Sequence, residues 1–204
     1  MVRIAITVAC VLAAAPARAD GYYYSEQLGF STARGRDAQA LATSLHTRAG
    51  LGVRWGAFSI EPWVEADLAF DRDGATLELF GGSPAMGRAD LEGFGLDARF
   101  SEPLGDSFSA YVRAGPRYAT ATGTLAAYSG FGFGTGTGIA LVGKVRAFGF
   151  LWAPLFFVPK GPLVRAALYL DEGLDFYALR ARGMPTIAAP VIATSIGFAV
   201  GTDF

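Results

Sequence analysis

The sequence has few of the residues that carry chemistry in many proteins. It has one cysteine, Cys10, and one histidine, His46, in 204 residues. Cys10 lies in an N-terminal segment that we predict to be removed, so we expect neither a disulfide framework nor thiol chemistry in the mature chain. There is no basic patch either, so we expect no nucleic acid among the partners.

A long apolar run is also missing, although 52% of the residues are hydrophobic. Beyond residue 20 the longest uncharged apolar stretch, Ala147 to Val158, has about a dozen residues, whereas a membrane-spanning helix needs roughly 20. The apolar residues must therefore fill a large β-sheet core or face lipid from β-strands.

The first nineteen residues have the pattern of a secretory signal peptide. Arg3 gives a short basic start, an apolar stretch follows, and Ala17-Arg18-Ala19 supplies small residues for cleavage. We predict a signal peptide over residues 1–19 and one mature domain over residues 20–204. Without Arg3 and Arg18, 15 of the 17 basic residues remain against 18 acidic ones, so the mature chain is weakly acidic.

Segments that alternate apolar and polar residues recur through the mature chain, separated by Gly, Pro, Asp and Ser clusters. In the segment from Leu45 to Trp55 the odd positions are mostly apolar, whereas the even positions hold His46, Arg48 and Arg54. A period of two is that of a β-strand with two different faces. The pattern predicts an all-β protein.

The length of these segments and their polar faces favour a barrel in a membrane. They run for about 11 to 14 residues, against five or six for an ordinary strand, and a tilted strand needs about 9 to 11 to cross a bilayer. The polar face carries charges of both signs, which predicts a lumen filled by ion pairs. The predicted lumen network consists of Arg48, Arg54, Glu61, Glu65, Asp67, Asp97, Arg99, Arg113 and Arg117.

A row of glycines, one at every second position from Gly130 to Gly138, stands out in "YSGFGFGTGTGIAL". A phosphate-binding loop needs uneven glycine spacing at a strand-to-helix turn, so this row does not predict one. As a strand, it puts Phe131 and Phe133 on the lipid face and the glycines on the lumen face. There we expect them to leave room for Tyr111, Arg113 and Arg117.

The last residues, "IATSIGFAVGTDF", place Ile196, Phe198, Val200 and Phe204 on one face. This alternation with a terminal phenylalanine resembles the C-terminal assembly signal of small bacterial outer-membrane β-barrel proteins, although Thr202 departs from the usual apolar residue. The resemblance implies an outer-membrane location, contact with outer-membrane lipid, and periplasmic chaperones and the barrel-assembly machinery as partners during biogenesis. It also implies that both termini lie in the periplasm. We expect a monomer without a metal or other cofactor.

The connections favour an antiparallel up-and-down transmembrane β-barrel of ten strands. Short turns are expected at Gly56-Ala57, residues 101–106, Gly143-Lys144 and Asp171-Glu172-Gly173. If residues 163–181 form an external hairpin instead, eight membrane strands remain. The ten predicted strands are 22–31, 44–55, 58–70, 90–101, 107–121, 131–143, 145–158, 163–170, 174–181 and 190–204.

Two groups of residues could carry chemistry. His46 lies near Ser44, and some outer-membrane barrels are enzymes with a histidine and acidic or serine residues at the outer rim. Glu61, Glu65 and Asp67 form a row of carboxylates that could act in acid-base catalysis or bind a cation. Because arginines lie on the adjacent strand, we interpret the row as ion pairing and His46 as a structural residue.

The sequence therefore predicts a small outer-membrane barrel without catalytic activity, acting in envelope structure, surface interaction or limited passage of a small solute. A general porin is not expected, because barrels of this size are filled by side chains. Two alternatives remain. One is an outer-membrane enzyme with an active site at the rim, and the other is a soluble exported barrel that binds an apolar ligand and has its apolar face inward.

Overall fold

The computed structural model describes residues 19–34, 41, 43–69, 89–146 and 163–202. Within them, eight antiparallel strands form one closed barrel in sequence order, with β1 paired to β8. This confirms the predicted all-β, up-and-down architecture. The strands are β1 (Gly21–Ala33), β2 (Thr43–Trp55), β3 (Phe58–Ala69), β4 (Leu91–Pro103), β5 (Phe108–Ala121), β6 (Ser129–Arg146), β7 (Leu163–Leu179) and β8 (Ile187–Gly201).

The preference for ten strands was wrong, because β7 is one continuous strand of 17 residues. It pairs with β6 and β8 straight through Asp171, Glu172 and Gly173, the residues expected to form a turn. The alternative that made residues 163–181 an external hairpin reached the correct count for a different reason. The predicted turn at Gly143-Lys144 lies inside β6, and most of the predicted strand 145–158 lies outside the described residues.

The strands are offset from one another around the closed barrel, and the total offset, or stagger, determines the barrel width. One row of paired residues starts at Tyr22 and returns to β1 at Thr32, ten residues further along. For eight strands this stagger implies a strand tilt near 40° and an interior just wide enough for side chains. The row runs through Tyr22, Val53, Ile60, Ala98, Ala114, Thr135, Leu174, Ile192 and Thr32.

The two faces of the strands differ as the sequence predicts. In β1, Tyr23, Ser25 and Gln27 are buried, whereas Leu28 and Phe30 are each 59% exposed. The same alternation in β2 and β3 turns their charged residues inward. An apolar exterior and a charged interior are the arrangement of a barrel in lipid. The soluble-barrel alternative requires the opposite arrangement.

The two ends of the barrel differ in their connections. The terminal end carries the start of β1, the end of β8, the connection 147–162 between β6 and β7, and two tight turns, one at Gly56 and Ala57 as predicted and one at residues 104–107. Gly56 has a φ of 58°, in the left-handed region that favours glycine. The opposite end, which we call the loop end, carries the connections 34–42, 70–90, 122–128 and 180–186. One of these contains a short 3-10 helix, Gly123–Leu125.

Two clusters of mainly apolar residues lie on the two sides of the charged layer in the lumen. The cluster at the loop end includes Leu41, Leu91, Tyr128, Leu179 and Ile187. The cluster toward the terminal end contains Tyr23, Tyr111, Tyr169 and three alanines. No helix in the described part of the chain has the length and apolar character to cross a membrane. The predicted signal peptide lies, except for Ala19, outside the described residues.

Candidate functional site: the charged lumen

Asp97 is the centre of the charged layer. It projects inward from β4 and is 1% exposed. Its Oδ2 accepts hydrogen bonds from Arg48 Nη2 at 2.7 Å and Arg113 Nη1 at 3.0 Å, and Arg117 Nη2 lies 3.7 Å from its Oδ1. One carboxylate thus faces three buried guanidinium groups.

Arg113 connects this centre to β7. Its Nη2 donates to Asp171 Oδ1 at 2.6 Å and its Nε donates to Oδ2 at 3.1 Å. The Tyr111 hydroxyl donates to the same Oδ2 at 2.6 Å. A guanidinium that binds both oxygens of a carboxylate is held in position and direction, so β5 and β7 are linked across the lumen.

Arg117 forms the next layer toward the loop end. Its Nε lies 2.9 Å from Asp175 Oδ1, and its Nη1 lies 4.0 Å from Glu65 Oε2. The guanidinium carbons of Arg117 and Arg48 lie 4.7 and 4.3 Å from the ring centre of Trp63. Cation-π contacts therefore add to the ion pairs in placing both arginines.

Glu61 holds the layer nearest the terminal end. Its Oε1 accepts a hydrogen bond from Ser25 at 2.9 Å and its Oε2 accepts one from Tyr23 at 2.8 Å. Arg99 Nη1 lies 3.7 Å from Oε2, and its guanidinium carbon lies 3.7 Å from the ring centre of Tyr111. Tyrosines thus cover the ion pairs on this side.

His46 belongs to a separate buried cluster near the loop end. Its Nδ1 lies 2.9 Å from Asp67 Oδ1, and the Ser31 hydroxyl donates to the same oxygen at 2.7 Å. His46 is only 3% exposed. Because the serine hydroxyl points to the carboxylate and not to the imidazole, the three residues do not form a nucleophile and base pair. His46 was expected near the exposed outer rim, whereas the structure places it in a buried cluster.

The glycine row of β6 makes room for these side chains. A Cβ at Gly134 would lie 1.7 Å from Arg117 Nε, and one at Gly136 would lie 2.8 Å from Arg113 Cζ. At Gly138 the added atom would lie 2.4 Å from the Tyr111 hydroxyl. The prediction that the row accommodates these three side chains is confirmed.

Most residues of the predicted lumen network meet in this layer. Seven of them are connected by contacts of 4.0 Å or less: Arg48, Glu61, Glu65, Asp97, Arg99, Arg113 and Arg117. Asp67 binds His46 and Ser31 instead. Arg54 lies at the terminal end, where its Nε donates to the backbone carbonyl of Gly56.

The sequence analysis missed Asp171 and Asp175. Both are buried partners of the lumen arginines, but Asp171-Glu172-Gly173 looked like a turn. The alternation of Tyr169, Asp171, Asp175 and Tyr177 along one face was the available signal.

Residues of the predicted assembly signal lie on the outside of β8. Ile196 is 57% exposed, whereas Phe198 and Val200 are half-buried on the same face. The ring of Phe198 lies 6.2 Å from that of Tyr24 on β1, so the signal face contributes to the closing strand pair. Phe204 lies outside the described residues.

The described lumen offers little space for a ligand. A cavity of about 250 Å³ at the terminal end is lined by residues that include Arg54, Tyr23 and Arg99, and it ends below the ion pairs of Asp97. Among the described residues no group of three or more histidines, cysteines and carboxylates could hold a metal ion. Each carboxylate of the charged layer lies within 4.0 Å of an arginine nitrogen, as the pairs of Glu61, Glu65, Asp97, Asp171 and Asp175 show.

Comparison with solved structures gives the same architecture. The chain is similar to Neisserial surface protein A, with a TM-score of 0.60 and 12% identity over 88% of this chain and 96% of that one. It also aligns with Ail, the attachment invasion locus protein of Yersinia pestis, solved with the heparin analogue sucrose octasulfate. That match has 7% identity over 88% and 98% of the two chains, and its TM-score of 0.40 is too low to carry an argument.

No family model and no curated protein sequence matches the chain. At 12% identity the structural similarity establishes the fold alone. The fold is that of the small bacterial outer-membrane β-barrels, closed by eight strands.

Proposed function

We propose that this protein is a non-conducting, non-enzymatic barrel of the bacterial outer membrane, which contributes to envelope structure and presents its loop end for surface interaction. The observation that carries the proposal is the packed lumen. Arg48, Arg113 and Arg117 converge on Asp97, and the apolar cluster at the loop end covers this layer.

The packed lumen argues against the solute passage that the sequence left open. The ion-paired side chains reach inward from β2, β3, β4, β5 and β7 and connect these strands through the lumen. An ion crossing this layer would have to displace paired charges that are almost fully buried. Breaking such pairs is costly because each partner is left as an uncompensated buried charge.

The exterior supports a location in a membrane. Phe131 is 75% exposed and Val64 is 60% exposed, and large apolar patches on a protein in water would favour aggregation. A closed barrel is one of the two structures that satisfy all backbone groups inside lipid. The similarity to a protein named for the neisserial surface agrees with the outer membrane in particular.

The burial of His46 argues against the enzyme alternative. A rim active site needs a cleft in which substrate reaches the imidazole, and His46 is only 3% exposed. We accordingly propose that His46, Asp67 and Ser31 stabilise the junction of β1, β2 and β3.

Conductance of the purified barrel in a planar lipid bilayer tests the proposal. We expect no stable current steps in concentrated potassium chloride, under conditions in which a general porin conducts. The variant Tyr128→Ala, which opens the apolar cluster but keeps the ion pairs, is expected to stay closed as well. Reproducible steps from the unaltered protein would refute the packed lumen. Steps from the variant alone would assign the seal to the apolar cluster.

A further inference from the structure

Two carboxylates lie on the outward face at half the height of the barrel. Glu26 is next to Gln27, the central residue of β1, and Glu172 is next to Asp171, the central residue of β7. Both are exposed. An ionisable residue that faces lipid at this depth is unfavourable, so it usually marks a contact or a function.

The other outward carboxylates lie at strand ends. Glu92 and Glu102 are each next to a terminal residue of β4, where a membrane meets water. The outward faces of β2, β3 and β5 carry no charged residue, and no arginine or lysine whose side chain is described lies on the outward face of a strand. The barrel therefore has one wall, formed by β6, β7, β8 and β1, that is polar at half height.

Hydroxyl groups surround Glu172 on this wall. Glu172 is paired with Thr137 on β6 and Thr194 on β8. Thr194 Oγ1 donates to Glu172 Oε2 at 2.8 Å, and the Tyr24 hydroxyl donates to Glu26 Oε2 at 3.2 Å. Among the described residues, each carboxyl thus receives a hydrogen bond at only one of its two oxygens.

A shallow groove of about 730 Å³ runs beside Glu172. The groove begins at the wall with Glu172 on β7 and Thr135 on β6, and it continues beyond the wall onto Ala114 of β5 and Ala98 of β4. Small side chains at a membrane-facing surface let another transmembrane segment approach closely, and carboxyl and hydroxyl groups can then hydrogen-bond across the contact.

We propose that the polar wall of β6, β7, β8 and β1 is the contact surface for a second copy of this chain. The carboxyl groups of the wall accept hydrogen bonds and its hydroxyl groups donate them, so two copies of the wall are complementary in hydrogen bonding. In a twofold contact, Glu172 of each copy accepts a hydrogen bond from the Thr135 hydroxyl of the other, whereas the Thr137 hydroxyl donates to the Tyr111 carbonyl at 3.0 Å within its own barrel. The sequence analysis predicted a monomer. The proposal rests on the proposed membrane location, because only lipid makes the outward carboxyls unfavourable.

Disulfide cross-linking in membranes tests this contact. The one native cysteine, Cys10, lies in the predicted signal peptide, so a single cysteine can be placed at will. Thr137→Cys lies on the polar wall, and Thr47→Cys is its matched control on the outward face of β2. After oxidation we expect a disulfide-linked dimer for T137C at a yield at least five times that of T47C. Thr135→Cys serves as a second position if T137C fails to fold.

The role of Glu172 is tested on the same background. Replacing Glu172 by leucine in T137C makes the wall apolar and is expected to reduce the cross-linked fraction at least fivefold. The same exchange should leave the boiled and unboiled gel mobilities unchanged. Glu172→Gln, which keeps hydrogen bonding, should retain most of the cross-linked product. Native mass spectrometry of the unaltered protein in mild detergent should give the mass of two chains.

The outcomes separate this inference from the proposed function. Protein that is found in the membrane and folded, but cross-links equally in T137C and T47C, contradicts the second copy alone. An unchanged cross-linked fraction in the Glu172→Leu variant also contradicts the second copy. A cross-linked product that contains a different protein contradicts it as well. Protein absent from the membrane fraction contradicts the proposed function itself.

Discussion

At the scale of single residues, Asp97 is a buried carboxylate that lies within 4.0 Å of three arginines. Removing its charge in Asp97→Asn leaves Arg48, Arg113 and Arg117 facing a neutral group in a buried site. Breaking a buried ion pair costs about 3–5 kcal/mol, and we expect a loss of that size in the free energy of unfolding. Urea titration of the folded protein in lipid vesicles, followed by tryptophan fluorescence, measures it.

Asp106→Asn is the matched control for this prediction. Asp106 is exposed in the turn between β4 and β5, and surface substitutions of this kind usually change stability by less than about 0.5 kcal/mol. Equal unfolding midpoints for the two variants would mean that the three arginines do not depend on the charge of Asp97.

Gly134 is a second residue whose replacement has a direct steric consequence. In Gly134→Ala the new Cβ would lie 1.7 Å from Arg117 Nε and 2.2 Å from Asp175 Oδ1, so the pair would have to move apart. Overpacking of this kind costs about 1–3 kcal/mol. The same urea titration should detect the loss.

Gly143→Ala in the same strand provides the comparison. A Cβ at Gly143 would meet no atom within 4 Å, and we expect stability close to that of the unaltered protein. A similar loss in both variants would indicate that alanine is unfavourable throughout β6 for a reason other than contact with Arg117.

At the scale of elements, β7 separates the eight-strand barrel from the ten-strand alternative. Leu170 is 52% exposed on its outward face and Leu104 is 63% exposed in a turn. In eight strands Leu170 faces the lipid interior, whereas in ten it would adjoin a turn in water. A water-soluble maleimide should therefore label Leu104→Cys readily and Leu170→Cys at least tenfold more slowly in intact vesicles. Similar labelling rates would favour a break in β7.

The strands also show which elements the sequence could predict. In β2 and β3 every charged residue falls on the same face of its strand, which predicted both the strand and its inward side, because one shift of register would put Arg48 into lipid. In β7 the lumen face holds tyrosines and aspartates, and the outward face holds Glu172. From the sequence alone, Asp-Glu-Gly therefore resembled a turn. Only the three-dimensional structure shows that Asp171 binds Tyr111 and Arg113 on β5.

The same limit applies to the lumen network. The period of two placed all nine residues of the predicted network on the inward face, but it could not decide which carboxylate meets which arginine. That pairing depends on the stagger of the strands around the barrel, which one sequence does not contain. His46 illustrates the difference, because its position on the strand was predictable and its burial with Asp67 and Ser31 was not.

At the scale of the whole molecule, the orientation of the barrel is the main testable property. We expect the loop end outside the cell and the terminal end in the periplasm. An epitope inserted within residues 123–127 should bind antibody on intact cells. The same epitope inserted within residues 104–107 should bind only after the outer membrane has been permeabilised. The reverse pattern would contradict the proposed orientation.

The pairing of β1 with β8 has a consequence for how the barrel assembles. The other strand pairs join neighbours in the sequence, whereas Tyr23 meets Gly201 across nearly the whole mature chain. Local hairpins form rapidly, and distant pairs must first overcome the entropy of closing a long loop. Until that last pair forms, the sheet has two open edges that can add strands from other molecules. Completion of this seam, and not formation of any single hairpin, therefore separates a folded barrel from an aggregate.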